Sequence, residues 1–336
     1  MKIAQIISGP RPSRLAGLTL IELLVSMVLG LLIILAATST YLGASGAGRM
    51  AEAQGRMNED GQAALSILSQ QIRMAGNNPD QPNRVVESRR NPVYLPNTLT
   101  STLTLTAFSI RGCDGKATNI TATVTIDGLT CAAGTSTLPD SIAINYEADI
   151  YNTPRIASSG GRPSDCLGSQ PGTATANLSV INGAGTGTLT SAVNYHVAEN
   201  RFFIGTSTAI VSPSLYCRGN GGAGAFEPLV ENIEDLQFTY GTVPANATST
   251  SVNVAGYLSA ASVLSESTLA ALTTDADRWG KVVAVRICVV ARSEAPVVND
   301  AASARYLKCD GTVEENPPDL RLRRAYTTTV VLRNRL

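Results

Sequence analysis

The hydrophobic positions divide the chain into three regions, of which the first is an apolar run near the N-terminus. Leu23–Ala37 is almost entirely aliphatic, and no charged side chain occurs between Leu23 and Gly48. An apolar run of this length can cross the ~30 Å hydrocarbon core of a bilayer as a helix. We therefore predict one membrane-spanning helix in this region.

The charges around the apolar run predict its orientation. Lys2, Arg11 and Arg14 precede it with no acid among them, so the positive-inside rule keeps the N-terminal residues in the cytoplasm. Everything after about Thr40 is then exported. A secretory signal peptide shares the basic start and the apolar run, but no A-x-A-like site ends this run and Glu22 lies at its beginning. We therefore favour a retained anchor.

The second region continues with helical spacing beyond the membrane. Leu65, Leu68 and Ile72 fall on one face of an amphipathic helix, and the pattern ends at Gly76, followed by two asparagines and Pro79. The two regions together predict a long helical spine. Glycines are poor helix formers, so we expect local melting of this spine around Gly30, Gly43, Gly46, Gly48, Gly55 and Gly61.

The third region, after Pro79, has the period-two pattern of β-strands separated by turn residues. Its long polar segments, Ser158–Gly187 and Arg218–Ala225, are interpreted as surface or partner-binding loops, and a short helix is predicted within Ser265–Asp275. The fold class is therefore α+β, a long N-terminal helix followed by a mostly antiparallel sheet domain with long loops. The candidate strands are Leu99–Ile110, Thr121–Ile126, Ser141–Tyr146, Arg201–Val211, Leu236–Tyr240, Lys281–Arg292 and Ala325–Arg333.

Composition and charge exclude several classes of protein. The 336 residues contain 26 Lys+Arg and 26 Asp+Glu, so no global positive field recruits nucleic acid. Charged residues make up 15% of the chain, against roughly 25% in soluble domains, which suits an exported β-rich protein. The mean hydropathy is close to zero, which excludes a protein with many membrane spans.

No motif predicts catalysis, a cofactor or a metal site. The single histidine, His196, lies in a predicted strand, where a packed imidazole is more common than a catalytic base. Gly183–Gly187 follows no strand–helix unit and lacks a GK[ST] sequence, so phosphate binding is not expected. Asp275 and Asp277 could join a calcium site, but the glycine and glutamate of an EF-hand loop are absent. We expect no cofactor, no metal and no catalytic residue.

The six cysteines predict disulfide bonds. None forms a CxxC pair, and an even number in an exported chain favours disulfides over a zinc ribbon. Six cysteines allow fifteen pairings. We favour the sequential pairing, which closes a hairpin-sized loop, tethers the Gly-rich insertion and links a core strand to the loop after it: Cys113–Cys131, Cys166–Cys217 and Cys288–Cys309.

Glu22 is the most informative residue of the N-terminal region, because a carboxylate at the edge of a bilayer is costly and usually has a partner. It ends the run Gly17-Leu18-Thr19-Leu20-Ile21-Glu22, which closely resembles the class III leader of type IV pilins and type II secretion pseudopilins. The resemblance implies that prepilin peptidase cleaves after Gly17 and methylates Leu18. It also implies that Glu22, then the fifth residue, meets the terminal amine of a neighbouring subunit.

Four further segments resemble the PilW family of minor pilins. They are residues 72–76, 228–241, 279–287 and 324–334, so the resemblance extends over most of the chain but omits the middle loops. It implies three regions: a leader at 1–17, a transmembrane spine at 18–76 and an extracytoplasmic β-rich domain at 77–336. Taken alone, the segments are core strands, and their acids Glu231, Glu234 and Asp235 are interpreted as solvated or capping groups.

The resemblance implies a structural protein that is not an enzyme. Such a minor pilin lies in the inner membrane, N-terminus in the cytoplasm and C-terminal domain in the periplasm, before it joins a surface pilus near the tip. Its partners are prepilin peptidase, other minor pilins, the major pilin, the assembly platform and the lipid membrane, with no nucleic acid expected. It helps prime assembly and supports twitching motility, adhesion or DNA uptake.

Two alternatives remain open at this point. A J-type minor pseudopilin of a type II secretion system shares the leader, the size and the tip position. A membrane-tethered exported enzyme is a more distant alternative. The basic C-terminus is interpreted as a solvated strand edge or inter-subunit surface, with DNA binding as the alternative; its arginines are Arg321, Arg323, Arg324, Arg333 and Arg335.

Overall fold

The computed structural model describes residues 19–77, 108–132, 138–149, 152–153, 163–181, 188–221, 226–247 and 253–335. The chain divides into two compact units, one ending at Glu52 and the other beginning at Ala53. Helix α1, Leu20–Met74, supplies most of the described part of the first unit and continues into the second.

Within the first unit, no residue in the apolar part of α1 is buried. Among the described residues, α1 is the one helix long and apolar enough to cross a membrane, and none of its most apolar 18-residue window is buried. The predicted local melting at glycines was wrong, because α1 is continuous through all six of them. A single glycine costs a helix only about 1 kcal/mol, and the helical hydrogen bonds on either side of it offset that cost.

Within the second unit, α1 buries one face against the β domain. The buried positions recur every three or four residues, as the amphipathic pattern predicts: Met57, Gly61, Ala64, Leu65, Leu68 and Ile72. The helix ends at Met74, and the predicted stop residue Gly76 follows with a φ of 83°, the left-handed conformation that glycine adopts without strain.

The described strands of the β domain form three antiparallel sheets. The first has the order β1-β2-β4-β5-β6, with β3 paired to the first half of the long strand β4; the second is β12-β9-β7-β8, and β10-β11 form a small third sheet. The strands are β1 (Ile110–Cys113), β2 (Ser141–Ala148), β3 (Thr173–Ile181), β4 (Thr188–Gly205), β5 (Ser214–Arg218), β6 (Phe226–Glu231), β7 (Ile233–Thr242), β8 (Gly256–Leu258), β9 (Val282–Arg292), β10 (Tyr306–Leu307), β11 (Val313–Glu314) and β12 (Arg323–Val331).

Two short helices and four 3-10 turns complete the described elements. They are α2 (Ala260–Ser265), α3 (Asp275–Gly280), and the turns at Ile126–Gly128, Ser267–Leu269, Ala302–Ala304 and Arg333–Arg335. The carboxylate of Asp114 accepts hydrogen bonds from the first backbone N–H groups of α2, at 2.7 Å from Ala260 and 2.9 Å from Ala261. This contact joins the end of β1, in the first sheet, to the helix that lies between β8 and β9 of the second sheet. A long helix and an antiparallel β domain confirm the α+β fold class.

Several element boundaries differ from the prediction. Thr121–Ile126 is not a strand but a series of turns that ends in the 3-10 helix, because a buried arginine binds its carbonyl oxygens. Arg201–Val211 leaves the sheet at Gly205, while the segment interpreted as loop, Ser158–Gly187, contains β3. Within Ser265–Asp275, the structure has a 3-10 turn between the end of α2 and the start of α3. Leu99–Ile110 lies outside the described residues apart from Phe108–Ile110.

Candidate functional site

The start of α1 is a reciprocal capping box between Thr19 and Glu22. The Glu22 N–H donates to Thr19 Oγ1 at 3.3 Å, while Glu22 Oε2 accepts from the backbone N–H and the hydroxyl of Thr19, both at 2.9 Å. The arrangement satisfies two N–H groups that a helix start leaves without partners. Glu22 therefore fixes where the exposed apolar helix begins.

The same geometry leaves one oxygen of Glu22 available. Both bonds from Thr19 end on Oε2, and within the described chain no hydrogen bond reaches Oε1. Glu22 and its neighbours are exposed. The carboxylate can thus keep its capping role and still accept a proton donor from another molecule. The predicted cleavage site, Gly17 and Leu18, lies outside the described residues.

The cysteines form three disulfides, and they are the sequential pairs favoured from the spacing. Their Cα–Cα distances are 5.3 Å for Cys113–Cys131, 6.5 Å for Cys166–Cys217 and 5.8 Å for Cys288–Cys309, all within the normal range. The first closes the turn-rich segment after β1, the second ties the segment before β3 to β5, and the third joins β9 to the β10–β11 turn. Disulfide bonds of this kind suit an exported protein.

The polar residues singled out for weak motifs have structural partners. His196 lies on β4, as predicted, with Nδ1 3.2 Å from the carbonyl oxygen of Pro171. Asp277 belongs to the cap of α3, where Thr274 Oγ1 donates to its carboxylate at 2.7 Å and accepts from its N–H at 3.1 Å. Across the described residues, no group of three or more His, Cys, Asp or Glu could hold a metal ion. Gly183–Gly187 is not described.

The acids near β7 and the C-terminal arginines form an ion network. Arg323 is buried, and it donates to Glu234 at 2.6 Å and to Asp319 at 2.7 Å. Burial alone lowers the pKa of Arg323, but the bonds to Glu234 and Asp319 outweigh it and raise the pKa above its ordinary value. The interpretation of this segment as a wholly solvated edge was therefore wrong at Arg323, which holds the end of β12 to β7.

A second buried ion pair shapes the first sheet. The guanidinium of Arg201 donates to Glu199 at 2.8 Å and to the carbonyl oxygens of Ile120 and Ala122 at 3.1 and 3.0 Å, with a further short bond to Val124. Burial raises the pKa of Glu199, against the opposing effect of Arg201. The pair binds the turns that were predicted to be a strand.

A groove runs between α1 and β12 in the second unit. It encloses about 810 Å³ and is lined on the helix side by Asn58, Gln62, Leu65, Ser66, Ser69, Gln70 and Arg73, and on the strand side by residues 324–328. The Tyr326 hydroxyl donates to Asn58 Oδ1 at 2.5 Å, and the Asn334 amide donates to the carbonyl oxygen of Arg73 at 3.0 Å. Helix and strand therefore run side by side in the same direction.

Sequence reasoning missed several of these features. Thr19 carries a detectable signal, since a threonine three residues before a glutamate is the capping-box pattern. The Arg201 cluster and the groove carry no such signal, because residues far apart in sequence create each of them. The alternating residue pattern of Arg323–Val331 predicts a strand, but it does not show whether another strand pairs with it on each side.

The described parts define an α+β protein whose N-terminal helix exposes an apolar surface suited to membrane anchoring and whose β domain is held by disulfides. Residues 201–334, from the end of β4 to the last 3-10 turn, match the model of one protein family, PilW, described as type IV pilus-assembly protein W. This match confirms the resemblance to the PilW family over the matched residues. A search of curated proteins and a search of solved structures found no match.

Proposed function

We propose that the protein is a minor pilin that helps prime assembly of a type IV pilus from a position near its tip. The observation that carries the proposal is the exposed apolar start of α1, capped by a carboxylate with one oxygen still available. An exposed apolar helix of this length needs either lipid or other apolar helices around it. A pilin spine uses both environments in turn, first the inner membrane and then the filament.

In this proposal, Glu22 sets the axial alignment of neighbouring α1 helices. After cleavage behind Gly17, the amine of Leu18 in one subunit is a cation that needs a counter-charge in a low-dielectric environment. Oε1 of Glu22 on a neighbouring spine supplies that charge while Oε2 continues to cap the helix through Thr19. The pairing aligns neighbouring helices at one axial position.

The proposal assigns the protein no enzymatic activity of its own. Prepilin peptidase acts on it, and the other minor pilins, the major pilin and the inner-membrane assembly platform are its partners. The N-terminus faces the cytoplasm and the β domain the periplasm before assembly, and the protein reaches the cell surface with the pilus. Twitching motility, adhesion or DNA uptake then depends on it indirectly, through the pilus.

The test replaces Gly17 and Glu22 separately in the chromosomal copy of a piliated host. We expect Gly17→Val to block N-terminal processing, as read by the intact mass of the purified protein, and to reduce the number of surface pili. Glu22→Ala should be processed but should also reduce piliation, because the spine loses its counter-charge. Glu59→Gln, an exposed acid on α1 beyond the apolar region, is the matched control and should retain both.

Three results would contradict the proposal. One is normal processing of Gly17→Val, which would remove the leader. Another is normal piliation in both variants. The third is a deletion strain that keeps its pili but loses type II secretion, which would make the protein a pseudopilin.

A further inference from the structure

Strand β12 is an edge of the second sheet, and its free side faces the groove beside α1. On its other side β12 pairs with β9 one residue for one, from Arg323 opposite Arg292 to Val331 opposite Ala284, without a bulge. No described strand lies on the free side. An unpaired edge of this kind is a template for another extended chain.

The hydrogen bonds at the two ends of β12 show which backbone groups are unpaired. Leu332 N donates to Val283 O at 2.8 Å, and Ser293 N donates to Leu322 O at 2.8 Å. Hydrogen-bonded residues alternate along an antiparallel ladder, so even-numbered residues of β12 bond to β9. The odd-numbered residues direct their N–H and C=O groups to the free edge, and those that line the groove are Ala325 and Thr327.

The charged side chains that line the groove are all positive. Arg73 and Arg324 line it, its other side chains are uncharged, and it contains no acid. Arg324 is two residues from Tyr326, which contacts the helix at Asn58. Arg73 contacts Asn334, beyond the C-terminal end of β12. One arginine therefore lies near each end of the groove. The helix wall from Asn58 to Arg73 is about 22 Å long at 1.5 Å per residue. An extended peptide of about six or seven residues spans that distance.

We propose that this groove binds an extended, carboxylate-bearing segment of another protein, which adds to β12 as a further strand. The alternating N–H and C=O groups of the edge are complementary to a peptide backbone. The two arginines are complementary to carboxylates at the ends of that peptide. This interaction goes beyond the proposed role in pilus assembly and does not depend on it.

A symmetric pairing of two copies through β12 does not fit the charges. β12 contains no acid, so a second copy paired through this strand would bring no carboxylate to Arg73 and Arg324, the two charged residues that line the groove. A segment of a different protein with acids at its ends supplies those carboxylates. The occupant is therefore a heterologous acidic strand.

The test measures peptide binding to the full chain, purified in detergent micelles. The probe is a fluorescent seven-residue peptide of alternating Thr and Val with Glu at both ends, and its partner probe has Lys in place of Glu. We expect the Glu peptide to bind at least tenfold more tightly than the Lys peptide, as measured by fluorescence anisotropy. The double variant Arg73→Gln, Arg324→Gln should remove most of that preference.

A proline variant tests strand addition itself. Thr327→Pro removes one free-edge N–H, a position where proline is tolerated on an edge strand, and should weaken binding at least tenfold. Val331→Pro changes the same edge outside the groove lining and is the matched control, with binding unchanged. A Glu peptide with N-methyl groups on alternate residues tests the same point without changing the protein, and it should not bind.

Four results would overturn the proposal. They are no binding of the Glu peptide, equal binding of the Glu and Lys peptides, unchanged binding of the N-methylated peptide, and self-association in sedimentation that Thr327→Pro abolishes. The last result would make a second copy the occupant. None of these measurements uses piliation as its readout, so failure here and failure of the pilin proposal are separate outcomes.

Discussion

Gly61 of α1 lies directly against the ring of Tyr326 in β12. A Cβ atom built at Gly61 would be 2.5 Å from both Cδ2 and Cε2 of that ring, far closer than atoms pack in proteins. The same tyrosine donates its hydroxyl to Asn58 one turn earlier. The glycine therefore sets the distance between the helix and the edge strand in the second unit.

Gly61→Ala should destabilise the β domain although alanine is the better helix former. The added methyl group forces the Tyr326 ring or the helix to move, which costs about 1–3 kcal/mol, and only part of this is offset by the gain in helix propensity. We expect a net loss of about 1–2 kcal/mol in the free energy of unfolding. Urea unfolding followed by fluorescence of the single tryptophan, buried Trp279, measures it.

The control for this variant is Gly55→Ala on the same helix. Nothing lies within 4 Å of a Cβ at Gly55, so this change should be neutral or stabilise by about 0.5–1 kcal/mol. If Gly61→Ala proved as stable as Gly55→Ala, the close packing of Tyr326 on the helix would not exist in solution.

The spine shows both the strength and the limit of sequence-based prediction. The spacing of Leu65, Leu68 and Ile72 correctly predicted the buried face of α1, because helical period and burial are local properties. The role of Gly61 could not be predicted in the same way. Glycine is a weak helix former because it has no side chain, and that missing side chain leaves room for Tyr326, which is more than 260 residues away in the sequence. Only the fold brings the two together.

Arg201 provides the second prediction. Its guanidinium is buried and satisfies Glu199 and the carbonyl oxygens of the 120–124 turns at once, a set that the ammonium of lysine cannot reproduce. Arg201→Lys should therefore lower the free energy of unfolding by about 3 kcal/mol or more, because buried acceptors lose their donors. Urea unfolding of the full chain is the measurement.

An exposed arginine gives the comparison for this variant. Arg305 pairs with Glu315 at 2.9 Å, but both side chains are more than half exposed. Arg305→Lys should change the stability by less than about 0.5 kcal/mol. Equal effects of the two substitutions would show that the Arg201 cluster does not hold the turns.

The third prediction concerns the disulfides, whose removal should cost different amounts of stability. The sequence separations are 18 residues for Cys113–Cys131 and 51 for Cys166–Cys217. In the chain-entropy model, replacing both cysteines by alanine costs about 3 kcal/mol for the shorter loop and about 4 kcal/mol for the longer one. Unfolding of the two double variants tests the order, and non-reduced peptide mapping tests the pairing. A peptide that links cysteines of different pairs would contradict the connectivity.

The strand errors have a common physical cause. Thr121–Ile126 has the residue types of a strand, but its carbonyl oxygens bind Arg201 instead of a neighbouring strand. β3 has the polar composition of a loop, yet its backbone pairs with β4 along its whole length. In both segments a distant partner decides the backbone conformation. Local composition could not predict either partner, whereas the N-terminal signals depended on neighbours within a few residues.

Asp140 makes the stability of the β domain depend on pH. Its backbone N–H donates to Leu236 O at 2.6 Å, and its two carboxylate oxygens accept from the N–H groups of Gly115 and Phe238, both at 2.8 Å. The residue thus joins the start of β2 to β7 in the other sheet. Burial raises the pKa of Asp140 to about 7, although the two N–H bonds favour its charged form.

The sign of the effect follows from the difference between the folded and unfolded chains. An unfolded aspartate releases its proton near pH 3.9, whereas folded Asp140 retains it until about pH 7, so the folded state binds the proton more tightly between these values. The stabilising contribution is complete below about pH 4 and is lost as the pH rises to 7. This loss is on the order of 4 kcal/mol.

Asp140→Asn should remove this part of the pH dependence. The asparagine cannot ionise, and it can accept only one of the two N–H bonds, so the variant is less stable at pH 4.5 but its stability changes less between pH 4.5 and 8. Urea unfolding at several pH values gives the difference in slope between the two proteins. The unmodified chain, measured in parallel at the same pH values, is the reference for this slope. If the Asp140 variant and the unmodified chain lost stability in parallel as the pH rises, the proton would not reside on Asp140.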